Sequence, residues 1–119
     1  MRVLLFRLAR TRLAGYVVGW MFAHISCMIP VKRLYETATL LAFHHPQPSY
    51  PVHILIVPKR NCRGLESLSS ADADFLVDLF AAVQKLVQDF DLERTGYRLI
   101  GNGGAYQDIP QLHFHLISG

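Results

Sequence analysis

The last nine residues decide how the chain is expected to fold: Gln111-Leu112-His113-Phe114-His115-Leu116-Ile117-Ser118-Gly119. Polar and apolar side chains alternate there with the two-residue period of a β-strand. A strand over residues 111–119 would place Gln111, His113 and His115 on one face and turn the apolar residues between them toward a core. Because histidine titrates near neutral pH, two imidazoles in a row favour acid–base or nucleophilic chemistry. The alternative is a pair of partly exposed histidines on an edge strand.

A third histidine lies inside another predicted strand, the proline-bounded run from Pro51 to Pro58. Its β-branched residues are typical of strands, and the run is apolar on both faces, which indicates a central, buried strand. Its one polar side chain is His53. Since a buried histidine needs a hydrogen-bond partner, we predict that His53 contacts the histidine strand.

The remaining elements are predicted from local patterns. Ser69 or Ser70 caps a helix whose apolar side chains recur at three- and four-residue spacing; that stripe is Phe75, Leu76, Leu79, Phe80, Val83, Leu86, Val87 and Phe90. Further strands are predicted at Lys32–Glu36, Thr39–Phe43 and Tyr97–Ile100. A glycine-rich loop at residues 101–108 follows, and such loops let backbone N–H groups approach phosphate oxygens closely.

Composition indicates one domain in a reducing compartment. A chain of 119 residues with a 51% hydrophobic fraction can build one core. Its two cysteines, Cys27 and Cys62, have neither metal-site nor disulfide-framework spacing. Residues 1–63 hold nine basic side chains and one acid, a net +8, whereas residues 64–119 hold three basic side chains and eight acids, a net −5. The basic half is expected to meet phosphate or an anionic surface; a solvated basic face is the alternative.

The N-terminal segment combines arginines with an apolar run from Leu13 to Ile29. Seventeen residues are barely enough to span a bilayer, and His24 and two glycines weaken that interpretation. Three alternatives stay open: packing on the domain, which we favour, a peripheral membrane contact through residues 1–29, or a dimer contact. We therefore expect a cytoplasmic protein, with membrane association left open.

Taken together, the motifs resemble the histidine-triad (HIT) superfamily of nucleotide-binding proteins. The resemblance runs from about Trp20 to Gly119 and leaves residues 1–19 as an N-terminal extension. It rests on four segments in order: Ile29-Pro30-Val31-Lys32-Arg33-Leu34-Tyr35-Glu36; Leu41–His44 followed by Pro51–Lys59; Gly96–Asn102; and the terminal stretch, which matches the signature His-x-His-x-His with Gln111 in the first position.

The resemblance implies an α+β fold, with an antiparallel sheet of about five strands, one long helix and an extra N-terminal helix, commonly in a homodimer. It implies nucleotide binding and hydrolysis or transfer at the α-phosphate of a nucleoside phosphoramidate or phosphoanhydride. His113 would attack phosphorus to form a nucleotidyl-histidine, His115 would contact the phosphate, and His53 and Gln111 would orient the site. Nucleotide and phosphate contacts would come from Asn102, Gly104, Gln107, Phe43 and His45. No metal or other cofactor is needed, and no nucleic-acid partner is expected.

Three positions depart from the family pattern. Gln111 removes a titrating group but retains an amide donor and a carbonyl acceptor. His45 stands where many relatives carry an acid that grips the ribose hydroxyls, and Asp108 stands where the phosphoramidase branch has a serine. These departures keep two alternatives open: a binding module without chemistry, and a zinc site formed by His53, His113 and His115, perhaps with His44.

Overall fold

The computed structural model describes residues 32–119, in which an antiparallel sheet packs against one long helix. The elements are β1 (Arg33–Glu36), β2 (Leu40–His44), β3 (Val52–Pro58), α1 (Ala73–Asp89), the short α2 (Leu92–Thr95), β4 (Arg98–Gly101) and β5 (Phe114–Ser118). The strand order is β1-β2-β3-β5-β4, and every neighbouring pair is antiparallel. The predicted fold class is confirmed; the N-terminal extension, residues 1–19, and the extra helix lie outside the described residues.

The central strands form because β-branched and aliphatic residues fit a pleated sheet that is buried on both faces. From His53 to Pro58, every residue of β3 is buried. On the side that faces α1, Ile54 and Ile56 join Leu116 of β5 and the helix residues Leu79 and Leu86 in the main core. This packing confirms that the Pro51–Pro58 run is a central strand.

The predicted cap at Ser69 starts the 3₁₀ turn that leads into α1, whereas α1 itself begins at Ala73. The Ser69 hydroxyl accepts a hydrogen bond from the amide of Ala71, and the Asp72 carboxylate accepts one from the amide of Ser69, which completes a capping box. A 3₁₀ turn at Ser70–Asp72 leads into the α-helix. The predicted apolar stripe is wrong at Phe80, whose side chain is 60% exposed, because the core-facing arc of α1 is narrower than the sequence stripe.

Strand β5 is shorter than the terminal alternation predicts. It begins at Phe114, whereas the β5 approach, Gln111–His113, starts with a bend at Gln111 and is outside the strand. The approach is held from outside the sheet, because the Leu112 amide donates to the Cys62 carbonyl at 2.7 Å. The prediction that the strand starts at Gln111 is therefore wrong, although β5 itself is correctly placed.

Pairing of β3 with β5 puts the histidines on the sheet face that points away from α1. Leu55 lies opposite His115, and His53 lies opposite Ile117. Because directly paired residues share a face and diagonal neighbours are within reach of long side chains, His53 and His115 can meet on that face. We call it the histidine face, and the opposite one the helix face.

Candidate active site

Four imidazoles gather on the histidine face, from two strands and two adjoining segments. His53 comes from β3 and His115 from β5, while His113 precedes β5 and His45 follows β2. The ring centroids of His113 and His115 are 5.1 Å apart, and those of His45 and His53 are 4.3 Å apart. Three residues predicted for catalysis are thus brought together with one predicted for nucleotide binding.

His113 has its tautomer set by the main chain. Its Nδ1 lies 2.8 Å from the carbonyl oxygen of Gln111. A carbonyl oxygen can only accept, so in the neutral ring the proton is on Nδ1 and the lone pair is on Nε2. In its neutral form the predicted nucleophile therefore presents its lone pair on Nε2, and the Gln111 backbone supplies the orienting contact.

The Gln111 side chain does not share the histidine face as the alternation predicts. It is 1% exposed; its Oε1 accepts from the Cys62 amide at 3.1 Å and its Nε2 donates to the Arg60 carbonyl at 3.0 Å. These bonds fasten the β5 approach to the loop after β3. Any influence of this side chain on His113 is consequently indirect, through the position of its own carbonyl.

His115 receives its orientation from His53. The Nε2 of His53 and the Nδ1 of His115 are 2.9 Å apart, which confirms that His53 finds its partner on the histidine strand. The Ser49 amide donates to the Nδ1 of His53 at 3.0 Å. With that lone pair engaged, neutral His53 carries its proton on Nε2 and donates to His115, which then keeps its own proton on Nε2.

Burial lowers the pKa of three of the four imidazoles and so favours their uncharged forms at neutral pH. Burial, together with the charges of His53, His115 and His113, lowers the pKa of His45 from 6.5 to about 4. Burial, aided by His113 and His53, lowers the pKa of His115 to about 4, with Asp108 opposing that shift. Burial also lowers the pKa of His53. The tautomers assigned to His53 and His115 thus describe the neutral rings present at pH 7.

The remaining predicted ligand contacts take different positions. Phe43 is buried on the histidine face in a cross-strand row that continues through Leu55 to His115. Asn102 is half-buried directly after β4, whose last residue, Gly101, lies opposite Phe114 at the start of β5. Phe43 therefore shares a cross-strand row with His115, and Asn102 directly follows the strand that pairs with β5.

Two loop residues have mainly structural contacts. Gly104 has φ +56°, a left-handed conformation that favours glycine, and opens the 3₁₀ turn at Gly104–Tyr106. The Nε2 of Gln107 donates to the carbonyls of Arg63 and Ile109. Both amide hydrogens of Gln107 are thereby used within the protein, which leaves its Oε1 as the atom it can offer a ligand.

A metal ion is geometrically conceivable at three of the imidazoles. Ring nitrogens of His45, His53 and His115 all lie within 4.8 Å of one another. However, the Nδ1 of His45 accepts from the Gln47 amide at 2.9 Å, as the Nδ1 of His53 does from Ser49. A metal needs an unprotonated nitrogen, so binding through Nε2 would require tautomers that break both backbone bonds. His44, the optional ligand in the sequence interpretation, instead packs its ring edge-on against Phe90, the residue that directly follows α1.

Comparison with known proteins identifies the family. The model of the HIT domain matches residues 27–119, most of the chain. The chain belongs to the HIT family. An uncharacterized HIT-like protein of Buchnera aphidicola is 33% identical over 97 residues, covering 80% of this chain and 87% of its own.

Solved HIT structures have the same fold. A HIT family hydrolase from Clostridium thermocellum has a TM-score of 0.75 and 32% identity, covering 87% of this chain and 89% of its own. A histidine triad nucleotide-binding protein from Candida albicans has a TM-score of 0.69 and 30% identity, with 84% of this chain and 71% of its own covered. No helix within residues 32–119 has the length and apolar character needed to cross a bilayer.

Sequence reasoning missed the groups that orient the HIT histidines. These are backbone atoms: the amides of Gln47 and Ser49 and the carbonyl of Gln111. Every residue except proline carries such an amide, so side-chain identity gives no signal for them. The prolines of the Pro46–Pro51 loop were the nearest clue, because they restrict which amides that loop can offer.

Proposed function

We propose that this HIT protein is a nucleotide hydrolase or nucleotidyl transferase that cleaves at the α-phosphate of a nucleoside phosphoramidate or phosphoanhydride. The observation that carries the proposal is the Nδ1–H bond from His113 to the Gln111 carbonyl. In the neutral ring this bond leaves the Nε2 lone pair as the nucleophile, and a ring held from its opposite nitrogen is prepared for attack.

The proposed reaction has two displacements at phosphorus. In the first, the Nε2 lone pair of His113 forms an N–P bond, and the bond from phosphorus to the leaving group breaks with its electron pair going to the leaving atom. In the second, water attacks phosphorus and the N–P electron pair returns to Nε2. Overall, the OH of one water joins the phosphate and its remaining proton ends, through solvent, on the leaving group.

His115 is proposed to stabilise the charge that develops during both steps. Its Nε2–H, fixed by His53, is a donor on a ring 5.1 Å from that of His113. Donors held in place before the reaction begins stabilise developing negative charge without reorganising. We propose that Asn102 and His45 contribute further ligand contacts and that Phe43 provides an apolar surface for the base. Pairing of two copies and a membrane contact through residues 1–29 stay predictions.

The proposal is tested by turnover of a fluorogenic adenosine phosphoramidate. Because the nucleophile is removed, we expect His113→Asn to lower kcat/KM by about a thousandfold or more. His44→Asn is the matched control, since His44 packs against Phe90 on the helix face; it should change kcat/KM by less than about twofold. Equal activity of wild type and His113→Asn would overturn the proposal, as would tight nucleotide binding by wild type with no product over hours.

A further inference from the structure

Two backbone amides of one short loop bind two of the clustered imidazoles. The loop between β2 and β3 directs the amide of Gln47 at the Nδ1 of His45 and the amide of Ser49 at the Nδ1 of His53. A third bond, from the His45 amide to the His53 carbonyl at 2.8 Å, holds the start of the loop against β3. The loop thus contacts His53 through its main chain as well as its ring.

The hydrogen bond from this loop determines which ring nitrogen carries the proton, first in His53 and then in His115. An amide only donates, so Ser49 requires a lone pair on the Nδ1 of His53, and the proton of the neutral ring is on Nε2. That Nε2 is 2.9 Å from the Nδ1 of His115, so His115 accepts there. Its own proton is then confined to Nε2.

We propose that the Ser49 backbone amide is a positioning group that fixes the tautomers of both His53 and His115, so that His115 presents a hydrogen-bond donor to the substrate phosphoryl group. The effect on turnover rests on the proposed function; the effect on the tautomers does not. Without the Ser49 N–H, His53 can carry its proton on Nδ1. Its Nε2 would then accept from the Nδ1–H of His115, and His115 would present a lone pair to an anionic substrate.

The burial of His53 means that the Ser49 hydrogen bond has a strong effect on the tautomer of the ring. His53 is 6% exposed, so a change of tautomer cannot be compensated readily by water. Burial also lowers the pKa of His53, which disfavours the doubly protonated ring that would donate from both nitrogens. The neutral His53 ring carries its single proton on either Nδ1 or Nε2. The Ser49 amide donates to Nδ1 and so favours the proton on Nε2.

The sharpest variant replaces the Pro48–Ser49 peptide bond by an ester, which substitutes oxygen for the Ser49 N–H without removing the side chain. In uniformly ¹⁵N-labelled protein, ring-nitrogen shifts distinguish protonated from unprotonated nitrogens. In wild type at pH 7, we expect Nδ1 unprotonated and Nε2 protonated in both His53 and His115. The ester should move both rings toward the opposite tautomer. It should also lower kcat with the adenosine phosphoramidate about tenfold to a hundredfold, by analogy with the loss of a hydrogen-bond partner that orients a metal-ligating histidine.

Two further variants separate tautomer control from general damage to the loop. Ser49→Pro also lacks the N–H and should shift the same ring nitrogens; Ser49→Ala keeps the amide and should leave the tautomers as in wild type. If Ser49→Pro does not fold, the ester variant still decides the question. Unchanged tautomers in the folded ester variant, or a protonated Nδ1 on His53 in wild type, would overturn the proposal. Shifted tautomers in a protein without His113-dependent turnover would uphold it while the proposed function fails.

Discussion

The two faces of the central sheet are built from the same strands but are held in different ways. On the helix face, Ile54 and Leu116 pack into a continuous apolar core with α1. On the histidine face, the neighbouring residues His53 and His115 form a hydrogen-bonded pair whose orientation comes from the backbone of a loop. Packing depends on volume and apolar area, whereas the histidine pair depends on where single protons lie. One strand therefore carries a stability determinant and a proposed chemical determinant on adjacent residues.

The largest stability effect is expected from a helix-face substitution in β5. Leu116 is fully buried, so Leu116→Ala removes packing and leaves a cavity; we expect a loss of roughly 2–5 kcal/mol in the free energy of unfolding. The control on the same strand is His115→Asn, which should cost less than about 1 kcal/mol but reduce turnover strongly. Denaturant unfolding and phosphoramidate turnover should be measured on both variants. If each variant lost stability and activity to a similar extent, the two faces would not have separate roles.

A smaller loss is expected where the β5 approach is fastened to the loop after β3. Gln111→Leu leaves the Cys62 amide and the Arg60 carbonyl without their side-chain partners. We expect it to cost about 1–3 kcal/mol. Turnover should fall by less than about tenfold, because the Gln111 carbonyl that binds His113 is retained.

Gln88→Leu on the exposed side of α1 provides the matched control. It makes the same chemical change where no buried bond is lost, so its unfolding free energy should stay within about 0.5 kcal/mol of wild type. A Gln111→Leu protein as stable as this control would show that the side-chain bonds to the loop carry no net stabilisation.

The smallest expected effect is an acid sensitivity that belongs to the histidine face. Burial lowers the pKa of His45 and His115 to about 4, below the value of about 6.5 in an unfolded chain. As the pH falls, the unfolded chain therefore binds more protons than the folded protein does. Stability that is present at neutral pH is lost between about pH 6.5 and pH 4. Because both rings are only partly buried, we expect a fall in Tm of roughly 5 °C across this window.

The double variant His45→Asn/His115→Asn should show a shallower fall over the same pH range. Glu36 and Asp72, whose pKa values are lowered chiefly by hydrogen bonds from Lys59 and from the Ser69 backbone, contribute in the same direction at lower pH. Identical Tm–pH curves for wild type and the double variant would assign the acid sensitivity to groups other than these two imidazoles.

The helix face could be predicted from the sequence because its determinants are periodic. The proline-bounded apolar run located β3, alternation located β5, three- and four-residue spacing located α1, and the Ser69–Ser70 pair marked the 3₁₀ turn that leads into α1. The three- and four-residue spacing does not determine how wide the buried side of the helix is. For that reason Phe80 was predicted to be in the core although it is exposed. The contact between His53 and the histidine strand followed from the rule that buried polar groups need partners.

The sequence predicted which histidines lie on the histidine face but not the hydrogen bonds that hold them there. Alternation put Gln111 on the same face as His113. The strand begins only at Phe114, however, and the Gln111 side chain binds the Cys62 amide in the loop after β3. Long-range contacts of this kind depend on how a loop returns to the sheet, which local periodicity does not encode. The family resemblance supplied the roles proposed for the histidines, whereas the backbone groups that bind their ring nitrogens became evident only in the folded chain.

The central claim is that the Nε2 of His113 attacks phosphorus, and covalent trapping tests it most directly. Protein mixed with an adenosine phosphoramidate labelled at its phosphorus is quenched at alkaline pH, because N–P bonds to histidine are labile in acid, and is then digested and mapped by mass spectrometry. The account predicts an adenylyl group on His113 in wild type and none in His113→Asn. Label on another residue, or rapid turnover of the phosphoramidate that persists in His113→Asn, would contradict it.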